Sequence, residues 1–75
     1  MTARGSNVGA RLWRARRRHD YIDAIVTRHG PGWDLQFVRN DRPLLTRHHP
    51  TREAARAEAD ARLRELQRAG WNVHW

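Results

Sequence analysis

The apolar positions change their period twice along the chain. Between Val8 and His19 they fall at Val8, Leu12 and Ala15, with Trp13 beside them, and Ser6 or Asn7 stands where a helix cap belongs. This spacing predicts a first helix over about residues 8–19. Arg16, Arg17 and Arg18 then surround its last turn, where cations meet the negative end of the helix dipole. From Tyr21 to His29 the pattern alternates, with Ile22, Ala24 and Val26 on one face and Tyr21, Asp23, Ile25 and Thr27 on the other. The β-branched residues favour a strand. The competing reading extends the first helix, because Leu12, Ala15, His19, Ile22 and Val26 also keep a spacing of three and four.

A hairpin signal follows at His29-Gly30-Pro31-Gly32. Trp33 to Arg39 is a second strand, with Trp33, Leu35 and Phe37 on one face. Asn40-Asp41 is a tight turn, and Arg42 to His48 is a third strand that ends before Pro50. Thr51 caps a long helix running to Ala69, with Glu53 in its first turn and Gly70 just past its end. Ala55, Ala59, Leu63 and Leu66 form its buried stripe. Glu58 with Arg62 and Asp60 with Arg64 are supporting pairs four residues apart. The tail Trp71 to Trp75 alternates again, as a short final strand or a fold-back over the sheet. The expected class is α+β: a basic N-terminal arm over residues 1–19, partly helical, and one domain over residues 20–75. That domain is a three-stranded antiparallel sheet packed by one long C-terminal helix.

Charge sharpens this picture. The chain has 75 residues, 15 basic and 8 acidic, for a formal net charge of +7 and an isoelectric point near 11.7. Every basic residue is arginine. Alongside the many alanines this looks like the codon usage of a GC-rich genome, so the absence of lysine is not itself a sign of phosphate recognition. Residues 1–19 hold +6 of the +7, with no acid among them, while the rest is nearly neutral. A basic arm on a neutral body suits an anionic partner such as nucleic acid or an acidic protein surface. A solvated tail and a transit-type targeting segment are the competing readings of the same arm. No apolar run is long enough to span a membrane, and no secretory signal follows the charges. The expected compartment is the cytoplasm.

Catalytic chemistry finds little to stand on. Ser6 is the only serine, there is no cysteine, and Gly30-Pro31-Gly32 is a turn rather than a phosphate-cradling loop. Asp23 and Asp34 could face each other across neighbouring strands, but nearby arginines account for them as ion pairs. The five histidines raise a metal hypothesis. His48 and His49 are adjacent and face opposite ways in a strand. His29 and His48 could approach across a sheet, yet no third ligand has a characteristic spacing. No enzyme activity, cofactor, metal or small-molecule substrate is expected. Of the four tryptophans, Trp33 is expected under the helix and Trp71 at its end. Trp13 and Trp75 are left for stacking on bases or for an interface.

The expected order of helix, three strands and helix, with Tyr21, Gly30-Pro31 and the Thr51-Arg52-x-x-Ala55-Arg56 opening, resembles the double-stranded RNA-binding domain. The resemblance implies that Arg52 and Arg56 clamp phosphates. The stretch from Tyr21 to Ala69 also looks like the arm-binding domains of phage-type integrases, which implies a sheet face entering a groove through Arg28, Arg39, Arg42 and Arg47. Two functions are thus in view. One is a nucleic-acid-binding module, with Arg11, Arg14, Arg16, Arg17 and Arg18 of the arm on phosphates and Arg39, Arg47, Arg52 and Arg56 setting orientation. The other is an interaction or assembly subunit, self-associating or adapting a larger complex.

Overall fold

The computed structural model describes residues 9–74. Strands β1 (Ala10–Arg17), β2 (Asp20–His29), β3 (Gly32–Arg39) and β4 (Arg42–His49) precede helix α1 (Arg52–Arg68), and β5 (Asn72–His74) follows it. All five strands form one sheet in the order β4-β3-β2-β1-β5, and every neighbouring pair is antiparallel. The first four strands are a meander with turns at Arg18-His19, Gly30-Pro31 and Asn40-Asp41. The helix then carries the chain from the β4 edge across the sheet, so that β5 lands beside β1.

Two expectations are corrected. The sheet has five strands rather than three, and Ala10–Arg17 is a strand rather than the body of a first helix. The element order therefore departs from that of the double-stranded RNA-binding domain at its first element, and from the three-stranded integrase type in strand number. The part of the expected helix on residues 1–8, with its cap at Ser6 or Asn7, lies outside the described residues. The physical reason for the difference is a bulge. Arg11 pairs with Ile25 and Trp13 with Ala24, so Leu12 is an extra residue in β1. It sets two large apolar residues side by side and hides the alternation that follows, with Trp13 and Ala15 inward and Arg14 and Arg16 outward. Residues 10–17 are an interior strand of the sheet, not an appended arm.

The alternation predicted for β2 and β3 holds. Ile22, Ala24, Val26, Leu35 and Phe37 are buried on the face that α1 covers. Ala55 and Ala59 are fully buried against them, and their bare methyl groups let the helix backbone approach closely. Trp13 fills the space beneath. It is 1% exposed, lies 6.1 Å from the Phe37 ring and donates its indole N–H to the Ala59 carbonyl at 3.1 Å.

Both helix ends follow the predicted chemistry. The Thr51 hydroxyl accepts from the Ala54 amide at 3.1 Å. At the other end Gly70 has φ +99°, its N–H bonds the Gln67 carbonyl, and the Trp71 N–H bonds the Leu66 carbonyl. This is a Schellman cap, which glycine accommodates because it has no Cβ to clash. The cap turns Trp71 inward, where it is 5% exposed and closes the core below the helix.

Candidate functional site

The antiparallel meander places the Arg18-His19 and Asn40-Asp41 turns at one end of the molecule. The helix C-terminus and Trp71 reach that same end. Arg17 lies 4.9 Å and Arg39 5.7 Å from the Trp71 ring, and Arg17 also donates to the Ala69 carbonyl at 3.1 Å. Arg42 is paired with Arg39 across β3 and β4, and Arg68 occupies the last helical turn. Six arginines (16, 17, 18, 39, 42 and 68) and two acids, Asp20 and Asp41, therefore belong to this end of the fold. Both acids are engaged internally. Asp20 accepts from Asn40 and Arg39, each at 3.0 Å, which hold its carboxyl below the usual value. The Asp41 carboxylate near the Tyr21 hydroxyl, together with burial, pushes the phenol's ionisation upward. Among the described residues Arg16, Arg18, Arg42 and Arg68 make no ion pair.

The other sequence-predicted arginines go elsewhere. On the sheet face opposite the helix Arg14 binds Asp23 through two bonds of 2.6 and 2.9 Å, and Arg11 approaches the same carboxylate at 4.0 Å. Asp23 is buried while Arg14 stays partly open to solvent, and the bond to Asp23 holds the Arg14 guanidinium above its usual value. Arg14 also lies 4.3 Å over the Tyr21 ring. Arg47 pairs with Glu58 on the helix side, and Arg56 stands 4.0 Å from Asp60. Arg52 and Arg28 flank Trp33 at the opposite end of the molecule. Trp13 is in the core, so its ring is closed to bases and partners alike; Trp75 lies outside the described residues. Arg68 escaped the sequence reading, although its place in the last helical turn was visible.

The face opposite the helix carries a second constellation near the Gly30-Pro31 turn. Thr27, Asp34 and His48 sit opposite one another on β2, β3 and β4, and His29 closes the end of β2. The two oxygens of Asp34 accept from His29 Nδ1 at 2.8 Å and His48 Nδ1 at 2.9 Å. These bonds, with that to His48 the larger, hold the Asp34 carboxyl below its usual value against a smaller opposing effect of burial. His48 and His49 do face opposite ways: His49 meets Glu58 on the helix side at 2.6 Å. Asp34 is the third group that spacing alone did not reveal. It does not face Asp23, because Asp34 pairs with Thr27 and Asp23 with Val38.

On the helix side, β4 leaves Leu44 at 59% and Leu45 at 40% exposure. With Ile22, Phe37, Arg62 and Leu66 they line an open cleft of about 260 Å³. No described helix is long and apolar enough to cross a membrane. Compared with protein-family models, curated proteins and solved structures, the chain matches none.

Proposed function

We propose that this protein is a small nucleic-acid-binding module that holds the phosphate backbone with the two-turn end of its sheet. The observation that carries the reading is that Arg16, Arg18, Arg42 and Arg68, without carboxylate partners among the described residues, belong to the same end of the fold as Arg17 and Arg39, which lie over the Trp71 ring. Unpaired guanidinium groups suit phosphate oxygens, which they meet through two parallel bonds. The element offering them differs from the basic, partly helical arm that the sequence suggested: they belong to the ends of strands, a tight turn and a helix end. The reading gives the protein no catalytic role and places it in the cytoplasm with its nucleic acid.

The test is a salt titration of binding to duplex DNA, duplex RNA and single strands. Replacing Arg16, Arg18, Arg42 and Arg68 together with Gln should lower duplex affinity at low salt. The slope of log K against log salt should shrink by about 0.9 for each phosphate that no longer meets a guanidinium. Replacing Arg56 and Arg64 on the outer side of the helix should change both far less. An unchanged slope in the fourfold variant overturns the reading.

Association with a second copy is the other reading, and one observation favours it. β4 is a sheet edge whose exposed Leu44 and Leu45 border the cleft. An unpaired edge beside apolar surface is a template for another strand. A light-scattering mass, measured beside the titration, separates the two: a monomer that binds nucleic acid supports the first, and a dimer that does not bind supports the second.

A further inference from the structure

We propose that His29, Asp34 and His48 form a binding site for a borderline divalent transition-metal ion, of which Zn(II) is the reference case, on the face of the sheet opposite the helix. The three residues stand on three successive strands, and their donor atoms all lie within 4.8 Å of one another. Two imidazoles and a carboxylate are a donor set that suits Zn(II) and its neighbours, and they leave further coordination positions to water.

Two features of the arrangement point to an ion rather than to hydrogen bonding alone. The imidazole rings stand edge to face, 86° apart with centroids at 5.7 Å, so that both Nδ1 atoms point at the same carboxylate. The His48 ring also occupies space that only a glycine leaves free. A Cβ on Gly32 would lie 2.6 Å from His48 Nε2, 2.8 Å from Cε1 and 2.6 Å from the His49 carbonyl oxygen. The ring thus fills space beside Gly32 that the close approach of the β4 backbone also keeps free of a side chain, and its Nδ1 is turned toward Asp34. The fold itself draws little from these bonds, because the side chains of His29 and His48 are 69% and 53% exposed and bonds between such groups stabilise weakly.

The chemistry balances simply. The Asp34 carboxylate accepts, so each imidazole meets it through a hydrogen on Nδ1. When an ion enters, each hydrogen moves to Nε2, the two Nδ1 lone pairs turn to the metal, and Asp34 contributes an anionic oxygen. Metal–donor distances of about 2.0–2.2 Å need only small side-chain rotations from donors already this close.

The experiment uses the full, untagged chain freed of metal by chelation, titrated with Zn(II) by calorimetry and by thermal melting. One ion should bind per chain. Zn(II) at about one hundred times its Kd should raise the Tm by on the order of 10 °C, because it binds only the folded form. His29→Gln, Asp34→Asn and His48→Gln should each lower the affinity at least about tenfold. Gly32→Ala should also weaken binding by displacing the His48 ring. His49→Gln, on the far face, should bind as the unaltered chain does. The proposal is overturned if the unaltered chain takes up no Zn(II) at about 1 mM, or if the three ligand variants bind as tightly as the parent.

Discussion

Alanine at position 59 does two jobs that no larger residue could combine. Its methyl group lets α1 settle close to the sheet, and its carbonyl, besides its helical role, receives the Trp13 indole. Glutamate there would bring an unpaired carboxylate into a site with no solvent access and push the helix off Trp13. Ala59→Glu is expected to cost about 2–4 kcal/mol in denaturant unfolding. A midpoint close to the parent's would mean that the helix does not pack through this face. Trp13 shows how residue type alone can mislead. Set among arginines it reads as a stacking residue, yet the bulge at Leu12 rotates it under the helix, where its one polar atom finds a partner.

Among the elements, β1 departs most from the sequence reading. It pairs with β2 on one side and β5 on the other, so removing it strips a strand from the middle of the sheet. It also takes Trp13 and Ala15 out of the core and leaves β5 without its partner. Deleting residues 1–19 should therefore abolish the cooperative melt and much of the circular-dichroism signal. A truncated chain that still melts cooperatively would show that the remaining strands and helix suffice. The other elements were legible because each carries its own signal. The turn residues Gly30-Pro31 and Asn40-Asp41 delimit strands of alternating pattern, and Thr51 and Gly70 mark the helix. Residues Leu12 to Arg17 carry no comparable turn signal before them, and their spacing also fits a helix.

Over the whole molecule, folding redistributes the charge. Counted along the chain, the excess belongs to residues 1–19. In space, Arg14 and Arg11 face Asp23, and Arg17 turns to Trp71, leaving the concentration at the turn end. The acids shape the pH response. Asp20, bonded first by Asn40 and then by Arg39, and Asp34, bonded first by His48 and then by His29, both ionise more readily in the folded chain than the ordinary carboxylate value of 3.8. A carboxyl whose value is lowered by folding contributes stability that is complete above its unfolded value. That stability is lost as the pH falls through the folded one. These groups are partly exposed, so the Tm should decline only modestly below about pH 4, and Asp20→Asn with Asp34→Asn should flatten that decline. A parent chain that melts alike at neutral and strongly acidic pH would contradict the assignment.

By itself the sequence determined what depends on neighbours along the chain: the capped helix and its alanine stripe, the Gly30-Pro31 and Asn40-Asp41 turns, the two faces of β2 and β3, and the opposed directions of His48 and His49. These follow from periods of 3.6 and 2 and from backbone preferences, which act within a few residues. Tertiary structure alone decided which strands lie side by side and in what register. That choice made β1 an inner strand, set its Arg11 and Arg14 against Asp23 and brought Arg68 beside the turns. It also set Asp34 between His29 and His48. The bonded partners are 5 to 52 residues apart, and their meeting depends on burying Trp13, Ala15 and the helix stripe together, which no local pattern encodes.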